Sequence, residues 1–277
     1  MNNFSSPNEV AEAYDGISIA KANRDTVRVL LLSILGGMFI AIAGFTAQMV
    51  SHSIENTGLA KFASGAVFPL GLILVVIAGA ELFTGNTLIM IGYADKRITL
   101  RQLLRNWTLV YIGNFFGCSF IAFLVHQSGL LSTTGGLLGA TAISAAVTKV
   151  SLPFNQILVR GILGNILVSL AVWMSASAKD ISGKVMVMWF AVMAFVVSSF
   201  EHSIANMYYI MLGIFAKSNP VYLEAGKISE EAISRLNASG LMANLIPSTL
   251  GNIIGGAFVV ALTYWYVYRY PLVDQNS

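Results

Sequence analysis

The sequence has 277 residues, of which 56% are hydrophobic and only 10% are charged, and its mean hydropathy is +0.73. A soluble domain carries about 25% charged residues, so this composition excludes one and indicates an integral membrane protein. The apolar runs are long and continuous, which predicts an all-α protein rather than the short alternating strands of a porin. The net charge of +3 gives no reason to expect a nucleic acid partner, because the basic residues gather at the ends of the runs.

The only cysteine, Cys118, lies in an apolar run, so the sequence predicts no disulfide within the chain and no cysteine metal cluster. Residues 1–25 are polar and lack the apolar core of a signal peptide. They predict a short amphipathic segment at the membrane surface, with Ser6 and Pro7 at the start of a helix.

Six membrane spans follow from the apolar runs. They cover about residues 26–50, 62–92, 106–125, 153–177, 185–215 and 240–268. Residues 127–152, between the third and fourth spans, are rich in glycine and serine, which predicts a long loop across the mouth of a vestibule. The second and fifth runs exceed the roughly 20 residues that a plain span needs.

These two long runs contain matching polar stretches, GAELFTGN at 79–86 and FEHSIAN at 200–206. Each holds Glu-x-x-x-x-Asn, once as Glu81 and Asn86 and once as Glu201 and Asn206. Ionisable residues inside a membrane span are costly and mark functional sites. We therefore predict that the second and fifth helices are broken at these stretches.

The second half of the chain repeats the first. The third and sixth spans both contain Gly-Asn, at 113–114 and 251–252, and matching features lie about 120 to 140 residues apart. Because each half has three spans, the two halves must cross the membrane in opposite directions. We predict one channel domain over 1–277, comprising the segment 1–25 and inverted repeats over 26–127 and 153–268, with a binding site where the repeats meet.

The distribution of lysine and arginine predicts the orientation of the bundle. Most of these residues flank one side, which by the positive-inside rule places that side and both termini in the cytoplasm. The residues on this side are Lys21, Arg24, Arg28, Lys96, Arg97, Arg101, Arg105, Lys179, Lys184 and Arg269.

The helix breaks predict an anion site. A broken helix frees backbone N–H groups at the start of its second half, and the helix dipole favours an anion there. Thr84 adds a hydroxyl at the first break, and His202 adds an imidazole at the second. Carboxylates would repel anions, so we expect the glutamates to accept hydrogen bonds from the freed N–H groups. The residues with this expected role are Glu81, Glu201, Asn86, Asn206, Asn165 and Asn252.

Structural interpretations of the same residues stay open. Glu201 and His202 are also consistent with a clamp between helices, and Lys149 with a solvated side chain. For Arg160 in the fourth span, the sequence favours a structural ion pair or a side chain that reaches the membrane surface over contact with a substrate.

Four motifs identify a family. They are AELFTGN at 80–86, KVSLPF at 149–154, GILGNILVSLAVWM at 161–174 and FEHSIANMYYI at 200–210. With these motifs in this order, the chain resembles the formate–nitrite transporter family over nearly its whole length, and within that family the hydrosulfide channel branch. The resemblance implies an aquaporin-like fold, with one pore in each protomer of a homopentamer in the bacterial inner membrane. It also implies transport of small monovalent anions of weak acids.

The resemblance further implies the residues of the pore. The pore and substrate residues fall on His202, Thr84, Lys149, Asn165 and Asn252, and the constrictions on Phe68, Leu72 and Leu82 for one slit and Val168 and Phe195 for the other. Ser151-Leu152 stands where the family often has two polar or histidine residues, so the identity of the anion stays open.

The expected function is a channel for small weak-acid anions, with hydrosulfide first and with formate and nitrite also permeating. A formate or nitrite transporter coupled to protons is the alternative. A pore for neutral solutes is less favoured, because Gly85-Asn86-Thr87 and Ala205-Asn206-Met207 replace the paired Asn-Pro-Ala signatures. A membrane enzyme would need more than Glu201 and His202, and the sequence predicts neither a metal site nor a cofactor.

Overall fold

The chain forms a bundle of α-helices in the computed structural model, which describes residues 4–270. The helices are α1 Pro7–Ala22, α2 Thr26–Ser51, α3 Thr57–Val67, α4 Leu70–Ile73, α5 Phe83–Asn86, α6 Met90–Ala94, α7 Leu100–Gln127, α8 Leu137–Ser151, α9 Phe154–Ser177, α10 Ile181–Val197, α11 Ser203–Ala216, α12 Pro220–Gly226, α13 Glu230–Ile233, α14 Ala238–Ile253 and α15 Leu262–Tyr268. Wider π-helical turns follow α4 at Leu74–Gly79 and join α14 to α15 at Ile254–Ala261.

The six spans of the prediction are confirmed. Five helical stretches in residues 4–270 are long and apolar enough to cross a membrane, including Thr57–Gly79 and Ala238–Tyr268. The fifth span consists of α10 and α11, which are each too short to cross alone. Large apolar side chains on the outside of the bundle, such as Phe116 and Phe190, are exposed, as a lipid-facing surface requires.

Both predicted breaks are present, at the places where the chain leaves helical geometry. The helix before the first break ends at Gly79, whose φ of +85° favours glycine, and Ala80 and Leu82 are extended before α5 begins. Thr84, Gly85 and Asn86 form the first turn of α5, so the break ends earlier than the sequence suggested. In the fifth span, α10 ends at Val197 and α11 begins at Ser203.

The inverted repeat is visible in helix packing. α2 packs along α7 as α9 packs along α14, and glycines allow both close approaches. A methyl group on Gly117 would lie 2.0 Å from the Ile34 carbonyl oxygen, and one on Gly255 would lie 2.2 Å from that of Ile162. The two halves therefore use the same contact at matching positions.

Residues 137–151 form the helix α8 rather than the loop that we predicted. Its buried residues Leu138, Ile143 and Ala146 pack it among other elements of the bundle, chiefly α11. Gly136, the residue directly before α8, has a φ of +90°. Tertiary packing gives this glycine-rich stretch its structure, because a helix of 15 residues is only marginally stable alone.

The N-terminal helix α1 is fixed to the bundle at one end of the spans. Tyr14 stacks on Trp173 with ring centroids 5.5 Å apart, and Asp15 accepts hydrogen bonds from Arg97 and Arg269 at 3.2 and 2.8 Å. Asp95 accepts a hydrogen bond from Arg269 at 2.8 Å. These contacts connect α1 to the loop after α6 and to the end of α15.

Candidate functional site

The first break is held by Asn114 of α7. Its side-chain oxygen accepts a hydrogen bond from the Phe83 N–H at 3.0 Å, and its amide donates to the carbonyls of Ser33 and Glu81 at 2.6 and 2.9 Å. The Glu81 N–H donates to the Leu32 carbonyl at 3.1 Å. The backbone groups freed by the break are therefore bound by α2 and α7.

The second break is held in the same way by Asn252 of α14. Its oxygen accepts from the Ser203 N–H at 2.8 Å, and its amide donates to the carbonyls of Gly161 and Glu201 at 2.8 and 3.0 Å. The Glu201 N–H donates to the Arg160 carbonyl at 3.2 Å. The two breaks are thus built from equivalent contacts.

The two buried glutamates bind side chains. The Glu81 carboxylate accepts from Lys21 at 2.6 Å and Asn86 at 2.7 Å, and it also contacts Arg24. The Glu201 carboxylate accepts from Lys149 at 2.7 Å and Asn206 at 2.6 Å.

The expectation that these carboxylates accept freed backbone N–H groups is therefore wrong. A buried carboxylate needs a positive partner. Lys21, Lys149 and the amides of Asn86 and Asn206 take the glutamate oxygens, while Asn114 and Asn252 accept two of the freed N–H groups. Asn86 and Asn206 also donate to further buried amides, those of Asn106 and Asn244.

His202 and Thr84 meet at the centre of the bundle. The Thr84 hydroxyl lies 2.8 Å from His202 Nε2, and both residues are buried. His202 Nδ1 accepts a hydrogen bond from the Ala205 N–H at 3.1 Å, which caps α11. An imidazole nitrogen that accepts a hydrogen bond carries no proton, so the neutral ring has its proton on Nε2, directed at Thr84.

Two cavities approach this centre, one lined by His202 itself and the other by Leu82 and Gly85, which lie on either side of Thr84 in the chain. The cavity that we call the Glu81 cavity has a volume of about 390 Å³ and is lined by Lys21, Arg24, Glu81, Leu72 and Leu82 among others. The cavity that we call the Glu201 cavity has a volume of about 530 Å³. It is lined by Lys149, Arg160, Glu201, His202, Phe68 and Phe195 among others.

A buried layer separates the two cavities. Thr84, Asn165, Asn252 and Val168 line neither cavity, and each is 4% exposed or less. The Asn165 amide donates to the carbonyls of Thr84 and Asn252 at 3.3 and 2.7 Å, so it joins the two repeats here. Passage between the cavities therefore requires a solute to cross this layer.

The constriction residues do not group as we expected. Phe68 lies in the Glu201 cavity beside Phe195, with ring centroids 6.3 Å apart, and not with Leu72 and Leu82. Leu72 and Leu82 line the Glu81 cavity. Phe68 directly follows α3 and precedes the bend at Pro69, and this bend places it on the other side of the central layer from Leu82.

Sequence reasoning missed residues that complete both breaks. The sequence predicts Lys21 and Arg24 only as charges that set the orientation, and no motif predicts a role for Asn106 or Asn244. The repeat contained the signal for both sets. Asn106 donates to the Lys21 carbonyl at 3.1 Å, as Asn244 donates to that of Lys149 at 2.9 Å. Lys149 is a predicted pore residue, and the equivalent position in the first repeat is Lys21. The repeat therefore predicts that Lys21 also lies at a break.

The chain belongs to the formate/nitrite transporter family, whose model matches residues 8–266. It is 39% identical to the probable formate transporter of Methanothermobacter thermautotrophicus over 96% of this chain and 98% of that protein. It is also 39% identical to the formate channel FocA of Escherichia coli K12, over 95% of this chain and 94% of that protein. The family and these relatives are transport proteins.

Solved structures of this family share the fold. A pentameric formate channel with formate bound superposes with a TM-score of 0.81 at 38% identity, over 88% of this chain and 97% of that chain. An FNT family ion channel superposes with a TM-score of 0.79 at 28% identity, over 94% of this chain and 98% of that chain. These relatives are named for formate or for the family, and they give no support to the hydrosulfide branch that the motifs suggested.

Proposed function

We propose that this protein is a channel for small weak-acid anions with formate as its first substrate, rather than the hydrosulfide channel that the sequence suggested. The observation that carries the proposal is the pair of cavities, each with a lysine bound to a buried glutamate, separated by the layer that holds Thr84, the hydrogen-bond partner of His202. The formate channels among the relatives support this choice of anion.

In this proposal, the lysines bring the anion to the central layer. Lys21 and Lys149 have side chains that are 25% and 20% exposed, so their charges act on a solute within each cavity. The apolar walls beyond them, Leu82 on one side and Phe68 and Phe195 on the other, make a bare charge costly. Desolvation favours the neutral form of a weak acid, so the anion takes up a proton from the water of one cavity as it enters the layer, and the acid returns the proton to the water of the other cavity.

His202 acts as a neutral hydrogen-bond donor in this proposal. Its Nδ1 is occupied by the Ala205 N–H, so a second proton on the ring would break the cap of α11. The Nε2 proton and the Thr84 hydroxyl are therefore the polar contacts offered to a solute in the layer. We propose Asn165 and Asn252 as supports that hold the layer, since their amide groups donate to backbone carbonyls. Val168 is the apolar wall beside them.

For the assembly, we propose a homopentamer in the bacterial inner membrane with one pore in each protomer. The pentameric relative supports this stoichiometry, and the lysine and arginine distribution supports cytoplasmic termini. The Glu81 cavity then opens to the cytoplasm and the Glu201 cavity to the outside. Native mass spectrometry of the solubilised 29.7 kDa chain should give the mass of five copies, and a monomer or dimer would contradict the proposal.

Flux into proteoliposomes tests the function. Purified protein is reconstituted, and uptake of formate, nitrite, hydrosulfide, chloride and glycerol is compared over a pH series. Formate should enter fastest, at a rate that depends on pH, and chloride should be much slower. Faster uptake of hydrosulfide than of formate would restore the original prediction. Uptake of glycerol without any anion would instead place the pore with channels for neutral solutes.

A further inference from the structure

Arginines occupy different positions in the two repeats. Lys21 and Lys149 are equivalent, and so are Leu32 and Arg160, whose carbonyls accept the Glu81 and Glu201 N–H groups. At the same spacing, Arg24 three residues after Lys21 corresponds to Leu152 three residues after Lys149.

Each cavity is therefore lined by one arginine and one leucine from these two equivalent pairs. The position that holds arginine in one repeat holds leucine in the other. Arg24 and Leu32 line the Glu81 cavity, whereas Leu152 and Arg160 line the Glu201 cavity.

The two arginines differ in what they bind. The Arg24 guanidinium contacts the Glu81 carboxylate. The half-buried Arg160 side chain forms no hydrogen bond or ion pair with any group among residues 4–270. The carboxylates that line its cavity are Glu55 and Glu201, and Glu201 is already bound by Lys149 and Asn206.

We propose that Arg160 is a specificity-determining residue, which binds anions with two oxygen atoms in the Glu201 cavity. This inference rests on the proposed function, because it concerns the selection of substrate at the same pore. A guanidinium presents paired N–H groups that match a carboxylate or nitrite in two parallel hydrogen bonds. A hydrosulfide or chloride ion has one acceptor atom and gains only the charge.

The position of Arg160 suits a first contact on the way to the centre. It shares the Glu201 cavity with Lys149, Phe195 and His202, so an anion bound there is close to the central layer. Because the side chain is only half-buried, water and salt weaken the contact, and the anion can leave again. The structural ion pair that the sequence favoured for Arg160 is not formed among residues 4–270.

Sided flux of the reconstituted full chain tests the inference. The concentration that gives half-maximal uptake is measured for formate and for hydrosulfide with wild type, Arg160→Lys and Arg160→Leu. Arg160→Lys keeps the positive charge but loses the paired N–H groups of the guanidinium. The half-maximal concentration for formate should therefore rise about three- to tenfold, while that for hydrosulfide should change less than twofold. Arg160→Leu should raise both values, because it also removes the charge.

Arg28→Leu is the matched control, since it removes an exposed arginine that lines neither cavity. It should leave both values unchanged. Equal shifts for formate and hydrosulfide in Arg160→Lys would overturn the role in specificity, and so would unchanged values in both Arg160 variants. A wild-type protein that passes no formate would instead refute the proposed function itself, so the two failures are distinguishable.

Discussion

At the scale of single residues, His202 combines two contacts that most side chains cannot make together. One ring nitrogen accepts the Ala205 N–H and caps α11, while the other reaches the Thr84 hydroxyl at 2.8 Å. The cap explains why this histidine, which is itself extended, stands directly before α11. The same two hydrogen bonds fix Nε2 as the ring nitrogen that faces Thr84.

Substitution of His202 should separate the two contacts. Asparagine is among the best helix caps but is too short to reach Thr84, so His202→Asn should keep the melting temperature near that of wild type and lower formate flux at least tenfold. His202→Phe removes the cap as well and should cost an additional 0.5–2 kcal/mol or so in stability. Flux and thermal unfolding of the two variants are the measurements. Wild-type flux in His202→Asn would show that the Nε2 proton is not needed.

At the scale of elements, the breaks depend on the close packing of α2 with α7 and of α9 with α14. Asn114 and Asn252 reach the freed N–H groups only because glycines bring those helices together. A wider separation would leave the backbone of each break without partners in a place that water does not reach.

Gly117→Ala should therefore lower the thermal stability of the solubilised protein. The new methyl group would lie 2.0 Å from the Ile34 carbonyl oxygen, and overpacking of this kind costs about 1–3 kcal/mol. Gly16→Ala in α1 is the control, because nothing lies within 4 Å of that position and alanine favours a helix. Its melting temperature should equal or exceed that of wild type. A Gly117→Ala protein with the melting temperature of wild type would mean that α2 and α7 can move apart without lowering the stability of the fold.

The sequence predicted the elements that hydropathy marks and missed those that tertiary contacts create. The six spans and both breaks follow from run lengths and from the buried Glu-x-x-x-x-Asn stretches. α8 was missed because its glycine-rich start and short length are typical of a loop, and only its packing on α11 makes it a helix.

Within the candidate site, the motifs predict His202, Thr84 and Lys149. The pairing of Phe68 with Phe195 depends on the direction of the bend at Pro69, which no local sequence pattern predicts. The partners of the glutamates were missed for a related reason. A lysine at the end of a polar segment is ordinarily counted as solvent-exposed, and nothing local to Lys21 shows that it reaches Glu81.

At the scale of the whole molecule, Asp15 of α1 and Asp95 after α6 both bind Arg269, which follows α15. Burial raises the pKa of Asp15 above its ordinary value of 3.8. Burial acts on Asp95 in the same direction, but hydrogen bonds from Arg269 and Trp265 outweigh it and hold the pKa below 3.8. An acid whose pKa is lowered by folding stabilises the fold above its unfolded pKa and loses that effect as the pH falls through the folded value.

Asp95→Asn should therefore lower stability at pH 7, by about 1–2 kcal/mol, through the weakened contact with Arg269. The difference from wild type should shrink as the pH falls below about 4, because Asp95 itself becomes protonated there. Melting temperatures of both proteins from pH 7 to pH 3 provide the measurement. Glu55→Gln, an exposed carboxyl without an ion pair among residues 4–270, should change little at either pH. A difference that persists at pH 3 would contradict the role of the charge.

The pairing of each buried glutamate with a lysine has a consequence for biosynthesis. In both halves of the chain the lysine precedes its glutamate, with Lys21 before Glu81 and Lys149 before Glu201. The helix that carries the cation therefore leaves the ribosome before the broken span that carries the carboxylate. Each acidic residue enters the bilayer after its counter-charge has been made, so the order of synthesis lowers the cost of inserting the two spans that carry a buried glutamate.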